Sequence, residues 1–283
     1  MALSLSIIIP AYNEAARIGK TLRTTLDYLE EQPGACELIV VDDGSTDETR
    51  KVSEEIFASR AGGRVEARVL GGPPNRGKGY VVRAGLLAAR GEVALFSDAD
   101  LSTPITEAPK LVEPIRAGQY DLAFGSRALD RSLIGVHQPW RREQSGRVFN
   151  LVMRTVTGLP FWDTQCGFKA FRMDVCRPVV EGALIDRFGF DVELLHIAHR
   201  AGLRLLERAV RWDDVEGSKV SFRTGLQGFG ELREIRRNWK RGLYDEAIRK
   251  TREAASRARA ERPTLRDEGL ESDVSPELAG LRL

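Results

Sequence analysis

The sequence predicts an α/β fold: a mostly parallel β-sheet with helices packed on both faces. Three observations carry that expectation. Short apolar runs of strand length alternate with longer stretches of helical periodicity through the first half of the chain, the pattern of βαβ units. The apolar runs are continuous and rich in β-branched residues, as in strands covered on both sides. Polar clusters fall where the predicted strands end, the edge at which open α/β sheets bind ligands.

In chain order, Leu3–Ile9, Leu38–Val41, Val65–Leu70, Val93–Ser97 and Asp121–Gly125 read as strands. Helices are expected between them at about Glu14–Glu30, Thr46–Ser59, Gly79–Arg90 and Pro104–Ala117. The second half is less regular. A helix is expected over Arg141–Thr157, then a mixed polar segment Asp163–Arg172, a helix near Phe190–Ala201 and a strand at Leu203–Val210. From Phe229 to about Arg262 the chain reads as one basic, Arg-rich helix without a strong apolar stripe. Pro263–Leu283 turns acidic and carries Gly and Pro, the composition of a mobile tail.

The bulk numbers bound the function. A chain of 283 residues with 42% hydrophobic and 30% charged residues has the composition of an ordinary globular protein. A net charge of +2 does not nominate nucleic acid as a partner. Cys36, Cys166 and Cys176 form neither a metal-type pair nor an even-numbered disulfide framework, which fits a reducing, cytoplasmic setting. The apolar start lacks a basic region and meets Pro10 at once, so it does not read as a signal peptide. No stretch reaches the roughly 20 apolar residues of a membrane span.

The strand exits carry the chemistry. The first ends in Ile9-Pro10-Ala11-Tyr12-Asn13-Glu14, where Pro10 should stop the ladder and Asn13 could cap the next helix. The second ends in Val41-Asp42-Asp43-Gly44-Ser45-Thr46-Asp47. A carboxylate there could accept from a nucleoside, and the same spelling is good turn and N-cap chemistry. Gly72 to Gly79 nearly satisfies a P-loop, but Gly79 replaces the Mg²⁺-binding hydroxyl and Pro73 and Pro74 remove amide donors. A triphosphatase is therefore disfavoured, while a basic glycine loop opening a helix still suits a diphosphate. The fourth strand ends in Asp98-Ala99-Asp100. In extended chain, residues two apart face the same side, so the two carboxylates could hold Mg²⁺ or Mn²⁺ together with substrate phosphates. Arg127, after the fifth strand, puts a guanidinium on the same edge. Val148, Phe149, Val152, Met153 and Val156 share one helical face opposite Arg147, Asn150 and Arg154, a pattern that fits a core-docked helix or an interfacial one. Trp140, Arg141 and Arg142 just upstream favour the interface.

These motifs, in this order and spacing, resemble glycosyltransferase family 2, inverting enzymes with the A-type fold. The runs Ser6–Glu14, Val41–Ser45, Arg76–Gly79 and Asp98–Asp100 carry the family resemblance. Gly125–Arg127, Asp163–Lys169, Phe190–Leu194 and Gly217–Lys219 are similar to the polyprenyl (dolichyl) phosphate sugar synthases, and within them to the dolichyl-phosphate β-glucosyltransferase subgroup. The resemblance covers residues 4 to 225. It implies a catalytic domain at 1–225 with a Rossmann-like nucleotide-binding half, a basic helical extension at 226–262 and an acidic tail at 263–283.

By the same resemblance, Pro10, Tyr12, Glu14, Asp42, Lys78 and Asp98 would bind the donor. Asp100 and Asp98 would hold Mg²⁺ or Mn²⁺. Arg127, Arg141, Ser145 and Lys219 would hold the acceptor phosphate, and Asp163 and Gln165 would face the transferred sugar. Where mannosyl members often carry Gln, this chain has Ser102. The implied reaction moves a hexose, glucose above others, from UDP-glucose to a polyprenyl phosphate. The bilayer contact is expected through residues about 137–160, peripheral to the cytoplasmic face. The alternatives are GDP-mannose as donor, a soluble hydroxyl acceptor served by Asp163 or Asp191 as base, a nucleotidyltransferase, and a non-catalytic nucleotide-sugar binder.

Overall fold

A computed structural model describes residues 3–136, 150–215 and 222–261, apart from the side chains of 222–227 and 229. Strands β1 (Leu3–Ala11), β2 (Ala35–Asp42), β3 (Val65–Gly71), β4 (Val93–Ser97) and β5 (Leu122–Ser126) alternate with helices α1 (Ala15–Glu30), α2 (Thr49–Ser59), α3 (Lys78–Ala88) and α4 (Pro109–Arg116). Then follow β6 (Ile134–Val136), a helical stretch α5 over 150–157, β7 (Phe168–Arg172), α6 (Met173–Glu181), α7 (Phe190–Arg200), β8 (Leu205–Ala209), β9 (Trp212–Asp213), α8 (Phe222–Lys240) and α9 (Asp245–Glu261).

The main sheet has seven strands in the order β3-β2-β1-β4-β7-β5-β8. All neighbours pair in parallel except β7, which runs antiparallel to β4 and β5. The chain winds outward through β2 and β3, then returns past β1 to β4. The switch point between β1 and β4 is where ligands enter such sheets. Strands β6 and β9 form a separate parallel pair.

Alternation along the central strands explains the two cores. Ile7 and Ile9 of β1, with Leu38 and Val40 of β2, pack beneath α1, α2 and α4. Ile8, Ile39 and Val41 face α3, α6 and α7 on the other side. Each such side chain, taken wholly out of water, contributes about 1.5–3 kcal/mol. Helix α1 follows from Ile18, Thr21, Leu22, Thr25, Leu26 and Leu29, which recur at three- and four-residue spacing and are all buried.

Several expectations need correction. Strand β1 runs through Pro10 to Ala11, opposite Asp42. Pairing with β4 ends at Ile8, so no partner asks for the missing N–H on that side. Asn13 does not cap α1: its φ is +53°, and its side chain accepts from the Thr46 amide. Helix α6 had no sequence prediction, because Pro178 lies inside it. The expected single basic helix is two, α8 and α9, separated by Gly242 at φ +72°. The apolar stripe of α9 exists but is built mainly of alanine: Ala247, Ile248, Ala254, Ala255 and Ala258 are buried. Tyr244, Ala247, Ile248 and Ala255 join the same core as Phe96 and Phe124.

Over α5 the helix docks through buried Met153 and Thr157 and leaves Leu151 exposed. No described helix is long and apolar enough to cross a membrane. Arg141, Ser145, Lys219, the first part of the expected interfacial helix and the acidic tail lie outside the described residues.

Candidate active site

The carboxyl ends of β2, β1 and β4 stand side by side, and the exit loops of β1 and β2 are sewn together. The Asn13 amide donates to Ser45 Oγ at 2.9 Å, the Glu14 amide to Thr49 Oγ1 at 2.7 Å and the Ala15 amide to Asp47 at 3.1 Å. Tyr12 leaves this seam with its ring 38% exposed, and Glu14 pairs with Arg17. Asp42 accepts from the Ser45 amide and hydroxyl.

Asp43 turns the other way, and the sequence reading gave it no role. Its buried carboxylate accepts from Asn75 Nδ2 at 2.8 Å and from the amides of Arg76 and Gly77 at 2.7 and 2.9 Å. Burial pushes its acidity down towards the neutral form, against these donors. The glycine loop is thus pinned by a side chain more than thirty residues earlier, so no local pattern could reveal it.

The start of α3 is also occupied from within. The Gly79 amide donates to the Arg187 carbonyl at 3.1 Å and the Tyr80 amide to that of Asp186 at 3.0 Å. Loop 185–187 passes so close that a Cβ on Gly79 would lie 2.6 Å from the Ile185 oxygen. The glycine that breaks the P-loop spelling is therefore a packing requirement. The amides of Arg76, Gly77, Gly79 and Tyr80 thus already have protein acceptors, which leaves the Lys78 side chain as this helix start's means of meeting a diphosphate.

Asp98 and Asp100 follow β4, held by two anchors on the residues around them. The Asp98 amide donates to the Gly167 carbonyl at 3.1 Å, and Thr21 Oγ1 donates to the Ala99 carbonyl at 2.6 Å. Lys78 Nζ lies 2.6 Å from the Asp98 carboxylate. Burial works against the ammonium, but Asp98, Asp191 and Asp100 outweigh it and hold its pKa above the usual lysine range. Asp100 accepts from the Ser102 amide at 2.9 Å. Burial, then the charge of Asp98, raises the Asp100 carboxyl above the usual range.

This donor set fits a divalent cation. Two carboxylates repel each other in a partly dry place, and that repulsion is what an ion between them would relieve. Among the described residues no third His, Cys, Asp or Glu joins them. Mg²⁺ and Mn²⁺ tolerate this where substrate phosphates and water complete the shell.

Beyond the end of β5 the fold brings Arg127 and Asp163 together. Arg127 donates from Nε at 2.7 Å, from Nη2 at 2.8 Å and from its own amide at 2.9 Å to Asp163. Although burial opposes it, this pairing holds Asp163 below the ordinary carboxylate range and Arg127 fully charged. Among the described residues Nε and Nη2 of Arg127 are taken by Asp163 and Nη1 makes no hydrogen bond, so that edge is the one open to an anion. Its guanidinium also lies 5.5 Å from the Trp212 ring centre. Gln165 is exposed between buried Thr164 and Cys166.

Behind this edge, fully buried Lys169 pairs with Asp191 and donates to the Cys166 carbonyl at 2.6 Å. Glu207 of β8 accepts the amides of Trp162 and Asp163 at 2.9 and 2.8 Å. Neither Lys169 nor Glu207 was singled out from the sequence; in a strand a lone charge reads as solvent-facing.

A family model described as Glycosyl transferase family 2 matches residues 6–179. The dolichyl-phosphate beta-glucosyltransferase of Drosophila melanogaster is 38% identical over 232 residues, 78% of this chain and 70% of that protein. The protein of the same name from Homo sapiens is 35% identical over 253 residues, 85% and 77% of the two chains. Among solved structures, glucosyl-3-phosphoglycerate synthase from Mycobacterium tuberculosis, in complex with Mn²⁺, uridine-diphosphate-glucose and phosphoglyceric acid, shares the fold. Its TM-score is 0.58 at 20% identity, over 83% of this chain and 80% of that one. An A-type sheet, a paired-carboxylate exit after β4 and a family model covering most of the sheet agree: the chain belongs to glycosyl transferase family 2.

Proposed function

We propose that this glycosyltransferase moves glucose, with inversion, from UDP-glucose to a polyprenyl phosphate in a reaction that uses Mg²⁺ or Mn²⁺. The observation that carries the reading is the Lys78, Asp98 and Asp100 cluster at the switch point between β1 and β4. The relatives named for dolichyl phosphate support the acceptor and the sugar.

Asp100 and Asp98 would hold the cation, which when bound neutralises charge on the diphosphate. Pro10, Tyr12, Glu14 and Asp42 flank the nucleoside side of the cluster. Lys78 keeps its proton in the field of three carboxylates, so it offers a fixed positive charge to the departing diphosphate. Arg127 offers its Nη1 side to the acceptor phosphate, with Arg141, Ser145 and Lys219 as further ligands. Asp163 sets the plane of that guanidinium, and Gln165 stands exposed towards the sugar.

A phosphate monoester has a second pKa near 6 and is mostly dianionic at neutral pH. It attacks without help from a base. Asp163 is already spent on Arg127 and Asp191 on Lys169, which favours a phosphate acceptor over a hydroxyl that would need one of them. The bilayer contact is assigned to residues about 137–160, on the cytoplasmic face. Exposed Leu151 and Trp162 and the stacking of Arg154 on Trp162 at 4.3 Å support an interfacial surface there.

The test supplies UDP-glucose or GDP-mannose with a polyprenyl phosphate, with and without Mn²⁺. Glucose should enter the lipid phase from UDP-glucose only with the cation. Asp100→Ala should lower turnover by about a thousandfold or more, on the order of 4 kcal/mol. Robust turnover by that variant in metal-free buffer defeats the reading.

A further inference from the structure

We propose that Glu207 is a positioning residue for the acceptor: it holds Asp163, and through it Arg127, in the plane that receives the incoming anion. Glu207 lies on β8 opposite Phe124 of β5, three residues below Arg127 along the neighbouring strand. Its two oxygens take the amides of consecutive residues, Trp162 at 2.9 Å and Asp163 at 2.8 Å. The Asp163 carboxylate then accepts all three Arg127 donors. The order from β8 to the site is carboxylate, backbone amides, carboxylate, guanidinium.

Residues 158–163 are neither helix nor strand. Their apolar anchors are buried Leu159 and partly buried Phe161, whose ring meets Phe124 edge-on at 5.0 Å. Those anchors fix the path of the segment but not the rotation of the 162–163 peptide plane. The Glu207 carboxylate fixes that rotation, because two adjacent amides can converge on one carboxylate in only one orientation. The segment therefore keeps its place when Glu207 is changed, while the Asp163 side chain loses its aim. Arg127 follows, since a guanidinium held on two edges takes its plane from its partner.

This inference rests on the reading of Arg127 as an acceptor-phosphate ligand, and one kinetic comparison separates the two. Initial rates are measured with polyprenyl phosphate varied at saturating UDP-glucose and Mn²⁺, and then with the donor varied. The proteins are the full chain, Glu207→Gln, Arg127→Lys and the double variant. Glu207→Gln should raise the acceptor KM about tenfold and leave the donor KM unchanged. In the Arg127→Lys background it should add less than about twofold, since both changes disturb one linkage. Should Glu207→Gln fail to fold, Glu207→Asp, which keeps the charge and shortens the reach, takes its place with the same shift expected.

An unchanged acceptor KM, a donor KM that rises in step, or fully multiplicative effects in the double variant would each overturn the role. If the unaltered chain transfers nothing to lipid phosphate, the functional reading falls and this inference with it. If it does transfer and Glu207→Gln leaves the acceptor KM alone, only the inference falls.

Discussion

Gly167 has no side chain because the Asp98 carboxylate occupies the space one would need: a Cβ there would sit 2.1 Å from Asp98 Oδ2. Gly167→Ala should leave the chain folded and push Asp98 off Lys78. Affinity for UDP with Mn²⁺, read by calorimetric titration, should fall about tenfold or more, since each 1.4 kcal/mol lost is a factor of ten. An unchanged affinity would mean that Asp98 can relocate without consequence. At this scale the site was half legible. Asp98, Asp100 and Asp42 stood out because they leave strands, and a strand exit has a known place in the fold, while Lys78 stood out in the basic glycine loop that opens α3. Asp43, Lys169 and Glu207 did not, because each acts on partners brought near only by folding, from 32 to 45 residues away in the case of Asp43 and Glu207.

At the scale of elements, the first turn of α3 is the instructive case. Its amides are consumed by loop 185–187, which must approach the backbone closely to reach them. Gly79→Ser would complete the P-loop spelling and yet place a Cβ 2.6 Å from the Ile185 oxygen and 2.7 Å from Phe190 Cβ. Overpacking of this kind costs about 1–3 kcal/mol. Denaturant titration should show that loss, and no nucleoside triphosphate binding should appear; gained triphosphate affinity would contradict the packing argument. Five strands of the first half and the helices between them were readable from apolar runs. Helix α6 was hidden by Pro178, and the buried face of α9, within a stretch expected to be helical, by a stripe of alanines too small to register as apolar. The direction of β7 was unreadable in principle, because alternation and burial look the same in a strand running either way.

For the molecule as a whole, the joint of α7 with α8 and α9 sets a pH limit. His196 is 3% exposed, with its ring edge-on to Trp239 at 5.4 Å and Tyr244 at 6.4 Å. Burial, then the charges of Arg200 and His199, depress its pKa from 6.5 to about 4. The unfolded chain therefore binds a proton at a pH where the folded one does not. The contribution of His196 to stability is complete above pH 6.5 and is lost between there and about 4, by up to roughly 3 kcal/mol. Denaturant midpoints measured across that interval should decline. His196→Leu should flatten the decline, and an equally steep profile in that variant would assign it to other groups.

The antiparallel course of β7 has a mechanical result. Because this strand descends where its neighbours climb, the segment feeding it crosses the edge at which β4 and β5 end. Asp163 grips Arg127, and four positions later the Gly167 carbonyl holds the Asp98 amide. On the proposed assignment of ligands, the donor and acceptor seats would therefore share a single strut.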